Sequence, residues 1–271
     1  MEDLKGLQYC QTEYHDSWLT IFLNNKNKKN ALSSKLIDEM INLLNNAHNN
    51  SKVRGIIIRG KNNIFCSGAD LDELHQIAYK KENVKKLTID MSMNIGRLLK
   101  AINEAPQITV SVVDGPCIAG GFGMACAADI LVTMNSSIFR LSETKLGLTP
   151  SQIAPYILSR MNFSKARMLM LLGDTIDGEK AYEMEIADYL ARSVIELNTI
   201  IDKIKSKVYL CSPNAISKTK NNLSLEHYID IQKASELFYD CINHNEGEEG
   251  LKSYFEKRNP FWNIEKKEQD H

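Results

Sequence analysis

Apolar residues fall along this chain in two rhythms. Short runs at 54–59, 108–113 and 130–134 read as buried strands, and 7–13 and 18–23 as a strand pair joined by the polar Tyr14-His-Asp-Ser17 turn. Between them the spacing becomes helical. Leu36, Ile37, Met40, Leu43 and Leu44 form one stripe behind a cap at Ser33 or Ser34. Two more cover 71–79 and 84–104, separated at Lys80-Lys81 and closed by Pro106. Strands separated by helices of these lengths predict right-handed crossovers and an α/β layered core. Past Pro150 the pattern turns helical, over 154–161, 164–172, 177–185, 197–210 and 225–243, punctuated by Gly173-Asp174 and Ser212-Pro213. An all-helical tail would expose apolar faces if left alone. The division expected is a core over residues 1–195 followed by a helical region over 196–271.

Two strand ends stand out. After 108–113, Asp114-Gly115-Pro116 reads as a turn, and Ala119-Gly120-Gly121-Phe122-Gly123 precedes the helical spacing of Met124, Ala125 and Ala128. Free N–H groups gather at such a helix start, at the positive end of its dipole. The spacing matches neither phosphate-binding glycine pattern, and close helix packing is the plainer use of these glycines. A second small-residue turn, Ile64-Phe-Cys-Ser-Gly-Ala-Asp-Leu71, follows the strand at 54–59 and precedes a helix. Two loops that each supply one N–H meet the requirement of an oxyanion hole. Residues 130–134 read as a strand, and a short segment at 138–141 then delivers Ser142 and Glu143, a carboxylate able to move a proton if it lies in the site and an ordinary surface acid otherwise.

Composition narrows the classes. The 271 residues carry a formal charge of -1, enough chain for one substantial core and no basic excess for nucleic acid. No run of about 20 apolar residues suggests a membrane span. The start Met1-Glu-Asp-Leu-Lys lacks the apolar centre of a secretion signal, so the expected location is the cytoplasm. Cysteines at 10, 66, 117, 126, 211 and 241 show neither C-x-x-C nor paired histidine spacing, which predicts free thiols and no metal. Cys66 reads as a small buried thiol, His75 as a lone surface or satisfied histidine, and 24–30 as a solvated loop.

Phe65-Cys-Ser-Gly-Ala-Asp-Leu71, Asp114-Gly-Pro-Cys-Ile-Ala-Gly-Gly121 and Ser142-Glu143-x-x-x-Gly147 resemble, in order and spacing, the signature blocks of the crotonase superfamily, the enoyl-CoA hydratases and isomerases. The likeness continues at Lys28-Lys-Asn-Ala-Leu32 and Tyr254-x-Glu-Lys-Arg-x-Pro260, covering nearly the whole chain. It implies a spiral of ββα units with a C-terminal helical trimerisation region, although no internal repeat in the sequence reveals one. Homotrimers or dimers of trimers are expected, with the substrate carried as a coenzyme A thioester and no separate cofactor. The resemblance makes Ala69 and Gly120 the oxyanion donors and Glu143 the acid/base. It lays Lys28, Lys29, Ala31, Ser67, Gly68, Asp70, Leu71, Gly121 and Ser142 along the thioester or coenzyme A, with Lys28 or Lys29 facing its phosphates. Gly120 and Gly121 would leave room for the thioester. Tyr254 and Lys257 would close over the adenine end, commonly in a neighbouring subunit.

One departure bears on the reaction. Typical two-glutamate hydratases carry a second Glu where this chain has Gly123. A single glutamate suffices for moving a proton from C2 to C4, as in the Δ3,Δ2-enoyl-CoA isomerases, whose blocks are close to Ala119-Gly-Gly121 and Ser142-Glu-Thr144. Leu146-Gly-Leu-Thr-Pro-Ser-Gln-Ile-Ala-Pro-Tyr156 is instead similar to hydratases of branched glutaconyl-CoA esters, which also tend to lack the first glutamate. A missing side chain at 123 would make space for a branched acyl group. The resemblance therefore implies an enoyl-CoA hydratase of a branched, methylglutaconyl-like substrate, with an isomerase as the alternative and a non-catalytic acyl-CoA-binding protein as a lesser one.

Overall fold

The computed structural model describes residues 6–80, 82–223, 240 and 244–263. Its large sheet has six strands: β1 (Cys10–His15), β2 (Trp18–Leu23), β3 (Gly55–Gly60), β4 (Ile108–Val113), β6 (Ile130–Met134) and β9 (Tyr189–Ala191). They lie in that order, with β1 antiparallel to β2 and every later pair parallel. The β1–β2 turn is two residues, Asp16 and Ser17, both at positive φ, the twist that suits a tight hairpin. A small sheet holds β5 (Pro116–Ile118), β7 (Ile138–Arg140) and β8 (Thr175–Asp177). Pro116 is thus not turn: it opens a strand, as a residue without a backbone donor can.

Each pass of the chain gives the large sheet one strand, then the small sheet a strand or an isolated bridge, then a helix. Leu23 leads to the bridge at Leu32 and α1 (Ser34–His48); Gly60 leads to the bridge between Cys66 and Cys117, then α2 (Leu71–Ala78) and α3 (Val84–Asn103). β4 and β5 lead to α4 (Gly120–Ala127), and β6 and β7 to a 3-10 turn at Glu143–Leu146. This is the expected spiral of ββα units. Its repeat is invisible in the sequence because two of its small-sheet members are single bridged residues.

Past Pro150 the chain runs through α5 (Ala154–Leu158), α6 (Phe163–Leu172), α7 (Gly178–Glu183), α8 (Val194–Tyr209), α9 (Pro213–Asn222) and α10 (Asn245–Glu256). It is not wholly helical, as the sequence suggested, because β8 and β9 interrupt it; strands of three residues are too short to show alternation. The helix expected over 225–243 lies outside the described residues.

Alternation along the strands sends Ile56 and Ile58 toward the helices of the spiral, and Ile57, Val110, Val112 and Val132 toward α8, whose Leu197, Ile204 and Val208 cover that face. Arg54 ties the C-terminal chain down: its guanidinium donates to the carbonyls of Val208, Cys211 and Trp262 at 2.8 to 3.0 Å. No helix among the described residues is long and apolar enough to cross a membrane.

Candidate active site

The two expected donor loops meet. Cys66 is the hinge between them: its N–H donates to the Pro116 carbonyl (3.1 Å), its carbonyl accepts from Ile118 (2.9 Å), and its Sγ accepts the Gly68 N–H (3.4 Å). Gly68 sits at φ +93, a conformation L side chains rarely adopt, and the chain turns there so that Ala69 follows against α4. A Cβ built on Gly120 would lie 3.7 Å from the Ala69 nitrogen, and one built on Gly68 would lie 3.5 Å from the Gly120 nitrogen. Neither the Ala69 nor the Gly120 N–H donates to an acceptor among the described residues. Ala119, just before the helix, is held at φ 49 and ψ -119, a strained position for alanine, and such strain concentrates at functional sites.

Glu143 reaches the same neighbourhood through the small sheet. β5 and β7 run parallel with Ile118 opposite Arg140, and the Ala119 N–H donates to the Arg140 carbonyl at 2.8 Å. The two chains leave the sheet side by side, one into Gly120, the other into Ser142 and Glu143. The Glu143 side chain is half-buried, and its Oε2 is buried with no hydrogen-bond partner among the described residues. Burial pushes its carboxyl above the ordinary glutamate range, opposed only by a hydrogen bond to its own backbone. Ser142 precedes it, half-buried, without capping the turn through its side chain.

A cavity of about 260 Å³ gathers six of the predicted coenzyme A contacts, Lys28, Lys29, Ala31, Ser67, Asp70 and Leu71, together with the expected donor Ala69. Asn27 and Asp72 line it too and were not singled out from the sequence, where nothing marks them from other loop residues. The 24–30 loop is less solvated than its composition suggested. Asn30 is 1% exposed, its Nδ2 donating to the Ile64 carbonyl (2.8 Å), and Ser67 Oγ donates to the Lys28 carbonyl (3.2 Å). Lys28 is held by both oxygens of Asp70 (3.0 and 2.7 Å) and by Asp72 (3.2 Å), and the Asp70 bond pushes its ammonium upward. Asp70 also caps α2 through the N–H groups of Asp72 and Glu73, so its first task is structural. Lys29 is exposed and has no ion-pair partner among the described residues.

Two expectations about the glycines are corrected. Gly121 does not make room for a thioester: a Cβ there would stand 2.6 Å from the Cys66 carbonyl oxygen and 3.0 Å from its Sγ, so Gly121 lets α4 pack on the first donor loop. Gly123 does not open a pocket either, because a Cβ there would fall 2.1 Å from Cγ2 and 2.3 Å from Cβ of Ile153. Nothing in the spacing signals this contact, which joins residues thirty positions apart. Lys257 is exposed beyond α10 and is not among the residues that line this cavity. Tyr254 lies in α10, and its side chain is outside the described residues. No group of three or more His, Cys, Asp or Glu suited to a metal occurs among the described residues. The four cysteines 10, 66, 117 and 126 are buried free thiols, with Cys66 and Cys126 pushed up to about 12 by burial, unsuited to nucleophilic work.

Comparison with known proteins agrees with this geometry. The sequence profile of the enoyl-CoA hydratase/isomerase family matches residues 13–265. The enoyl-CoA hydratase ACTT6 of Alternaria alternata is 30% identical over 201 residues, 74% of this chain; the chain spans 64% of that relative's length. A mitochondrial Δ(3,5)-Δ(2,4)-dienoyl-CoA isomerase of Dictyostelium discoideum is 26% identical, covering 94% of this chain and 91% of its own. The crystal structure of an enoyl-CoA hydratase/isomerase from Marinobacter aquaeolei superposes with a TM-score of 0.88 at 28% identity, over 94% of this chain and 99% of that one. Two small-residue loops that touch, the segment leading to Glu143 bonded to one of them through the small sheet, and a match running almost end to end have one reading: this chain belongs to the enoyl-CoA hydratase/isomerase family, with the crotonase fold.

Proposed function

We propose that the protein adds water across the C2–C3 double bond of a 2-enoyl-CoA thioester, with Glu143 as its single acid/base. The observation that carries this reading is the desolvated, unpartnered Oε2 of Glu143, on a chain that leaves the small sheet beside the Gly120 donor. The Ala69 and Gly120 N–H groups hold the thioester oxygen. One such donor contributes about 3 kcal/mol to the transition state. Glu143 takes a proton from water as the water oxygen bonds to C3, and the displaced π electrons pass to the thioester oxygen as an enolate. The enolate collapses, C2 takes the proton back from Glu143, and the product is a 3-hydroxyacyl thioester with nothing left over.

A second reading rests on the wall beside Gly123, where Ile153 supplies hydrocarbon and no second carboxylate. A lone glutamate then moves a proton from C2 to C4 of a 3-enoyl thioester through the same enolate. Hydration is preferred because relatives such as ACTT6 carry the name hydratase. A branched acyl group is proposed from the likeness of segment 146–156 alone, since Gly123 leaves no space for it.

Coenzyme A is assigned to the cavity under the 24–30 loop. There Lys29 is better placed than Lys28 to meet a phosphate, because Asp70 and Asp72 already hold Lys28. The exposed apolar side chains of Leu158, Phe163, Met168, Leu171 and Leu172 on α5 and α6 form a patch suited to a second copy of the chain, supporting a homotrimer or a dimer of trimers.

A panel of 2-enoyl and 3-enoyl esters, 3-methylglutaconyl-CoA included, followed by mass, tests the reading. A product heavier by one water supports hydration. A moved double bond at unchanged mass supports isomerisation, and no conversion of any ester overturns both.

A further inference from the structure

We propose that Ile153 is a specificity-determining residue of this site: it fills the volume beside Gly123 and keeps the Gly120 face of α4 free of any second acid/base group. The inference rests on the acid/base reading of Glu143 given above. Gly120 and Gly123 are three positions apart in the first turn of α4, hence on one face of the helix. A side chain at 123 would therefore project beside the donor, where a carboxylate would share the site with Glu143.

Nothing can project there while Ile153 stands where it does. It is 3% exposed, and even its Cα is 3.2 Å from a Cβ built at 123. Exchanging Ile153 for alanine leaves the 2.3 Å overlap of the two Cβ atoms in place; only glycine at 153 removes it. The segment that carries Ile153 is itself wedged. Its neighbour Gln152 lies with Oε1 2.4 Å from a Cβ built on Gly96 of α3, and Gln152 Nε2 donates to Ser92 Oγ at 3.1 Å. Two glycines on two helices thus admit one short segment, whose N–H at 153 is tied to the Pro150 carbonyl at 3.2 Å. Residues 123 and 153 share one volume, and the chain has spent it on hydrocarbon. No second carboxylate then reaches the Gly120 face of α4 from position 123.

The test is the pair Gly123→Glu and Ile153→Gly, singly and together, read by melting temperature and by the pH profile of turnover on crotonyl-CoA. Gly123→Glu alone is expected to melt below the parent by overpacking, Ile153→Gly alone by its cavity, and the double variant above Gly123→Glu. The double variant is expected to gain a second carboxylate ionisation in its pH profile and to hydrate crotonyl-CoA about tenfold or more faster than Ile153→Gly. A parental melting temperature for Gly123→Glu overturns the shared volume, and a double variant with restored melting but neither new ionisation nor faster hydration overturns its place in the site. Should the glutamate pair not fold, Gly123→Asp with Ile153→Gly carries the same readouts; failure of both pairs when Ile153→Gly folds also overturns it. The thermal coupling depends on packing alone, so it persists even if the parent isomerises rather than hydrates.

Discussion

The Ala119 N–H donates to the Arg140 carbonyl at 2.8 Å, and this bond holds together two stretches that sequence order keeps apart. One residue after Ala119 comes the donor Gly120; three residues after Arg140 comes Glu143. The strain at Ala119 and the desolvation at Glu143 lie on either side of the same bond, so the small sheet acts as the jig of the site. The predictions below follow from that placement.

The pH dependence has a definite sign. Burial raises the Glu143 carboxyl, and the base must be ionised to take a proton from water. Turnover divided by KM is therefore expected to fall as the pH drops through that raised value, with the acid limb above the ordinary glutamate range. The same shift bears on stability in the reverse of the usual acidic case. A carboxyl raised in the folded state favours folding below its unfolded pKa, and this advantage is lost as pH rises through the folded value. Glu143→Gln should accordingly melt higher than the parent near neutral pH and lose that margin in acid. An acid limb at the position of a free glutamate, with no difference in melting, contradicts the desolvated carboxylate.

Neighbouring glycines should fail in different ways. A methyl at Gly120 meets only the flexible Leu32 Cδ1, at 3.0 Å, and stands 3.7 Å from the Ala69 nitrogen. Gly120→Val is expected to fold while losing turnover. Gly121→Ala instead presses on the Cys66 carbonyl, and is expected to cost about 1–3 kcal/mol of stability. Denaturant melts and initial rates on both proteins check the contrast; a fully active Gly120→Val removes that residue from the site.

The α5 and α6 patch predicts assembly. Phe163 is 63% exposed and Leu171 59%, an apolar surface that a second copy of the chain would cover. Phe163→Glu with Leu171→Glu should convert an oligomer into smaller species by light scattering. A parent that is monomeric at micromolar concentration rules the patch out as a self-association surface.

Much of this was legible from spacing. The hairpin at Asp16-Ser17, the helix behind Ser33 and the parallel strands at 55–60 and 108–113 lie within a few residues of where periodicity put them, because each buries a face long enough to show its period. β8, β9 and the strand opened by Pro116 were not legible, since three residues carry no period. The candidate residues Ala69, Gly120 and Glu143 came from motifs, and the bond that joins the Gly120 and Glu143 segments runs through a small sheet that the sequence does not display. The roles of Gly121 and Gly123 were misread for one reason: a glycine looks the same whether it admits a ligand, a neighbouring backbone or Ile153. That Asp70 already holds Lys28 was not legible, because the bond spans forty-two positions.

The most direct measurement is Glu143→Gln, assayed for turnover of a 2-enoyl-CoA and, separately, for binding of a coenzyme A thioester. The account predicts a loss of turnover of about 100-fold or more, as expected when a general acid/base is removed, with affinity nearly unchanged. Turnover close to that of the parent would contradict it.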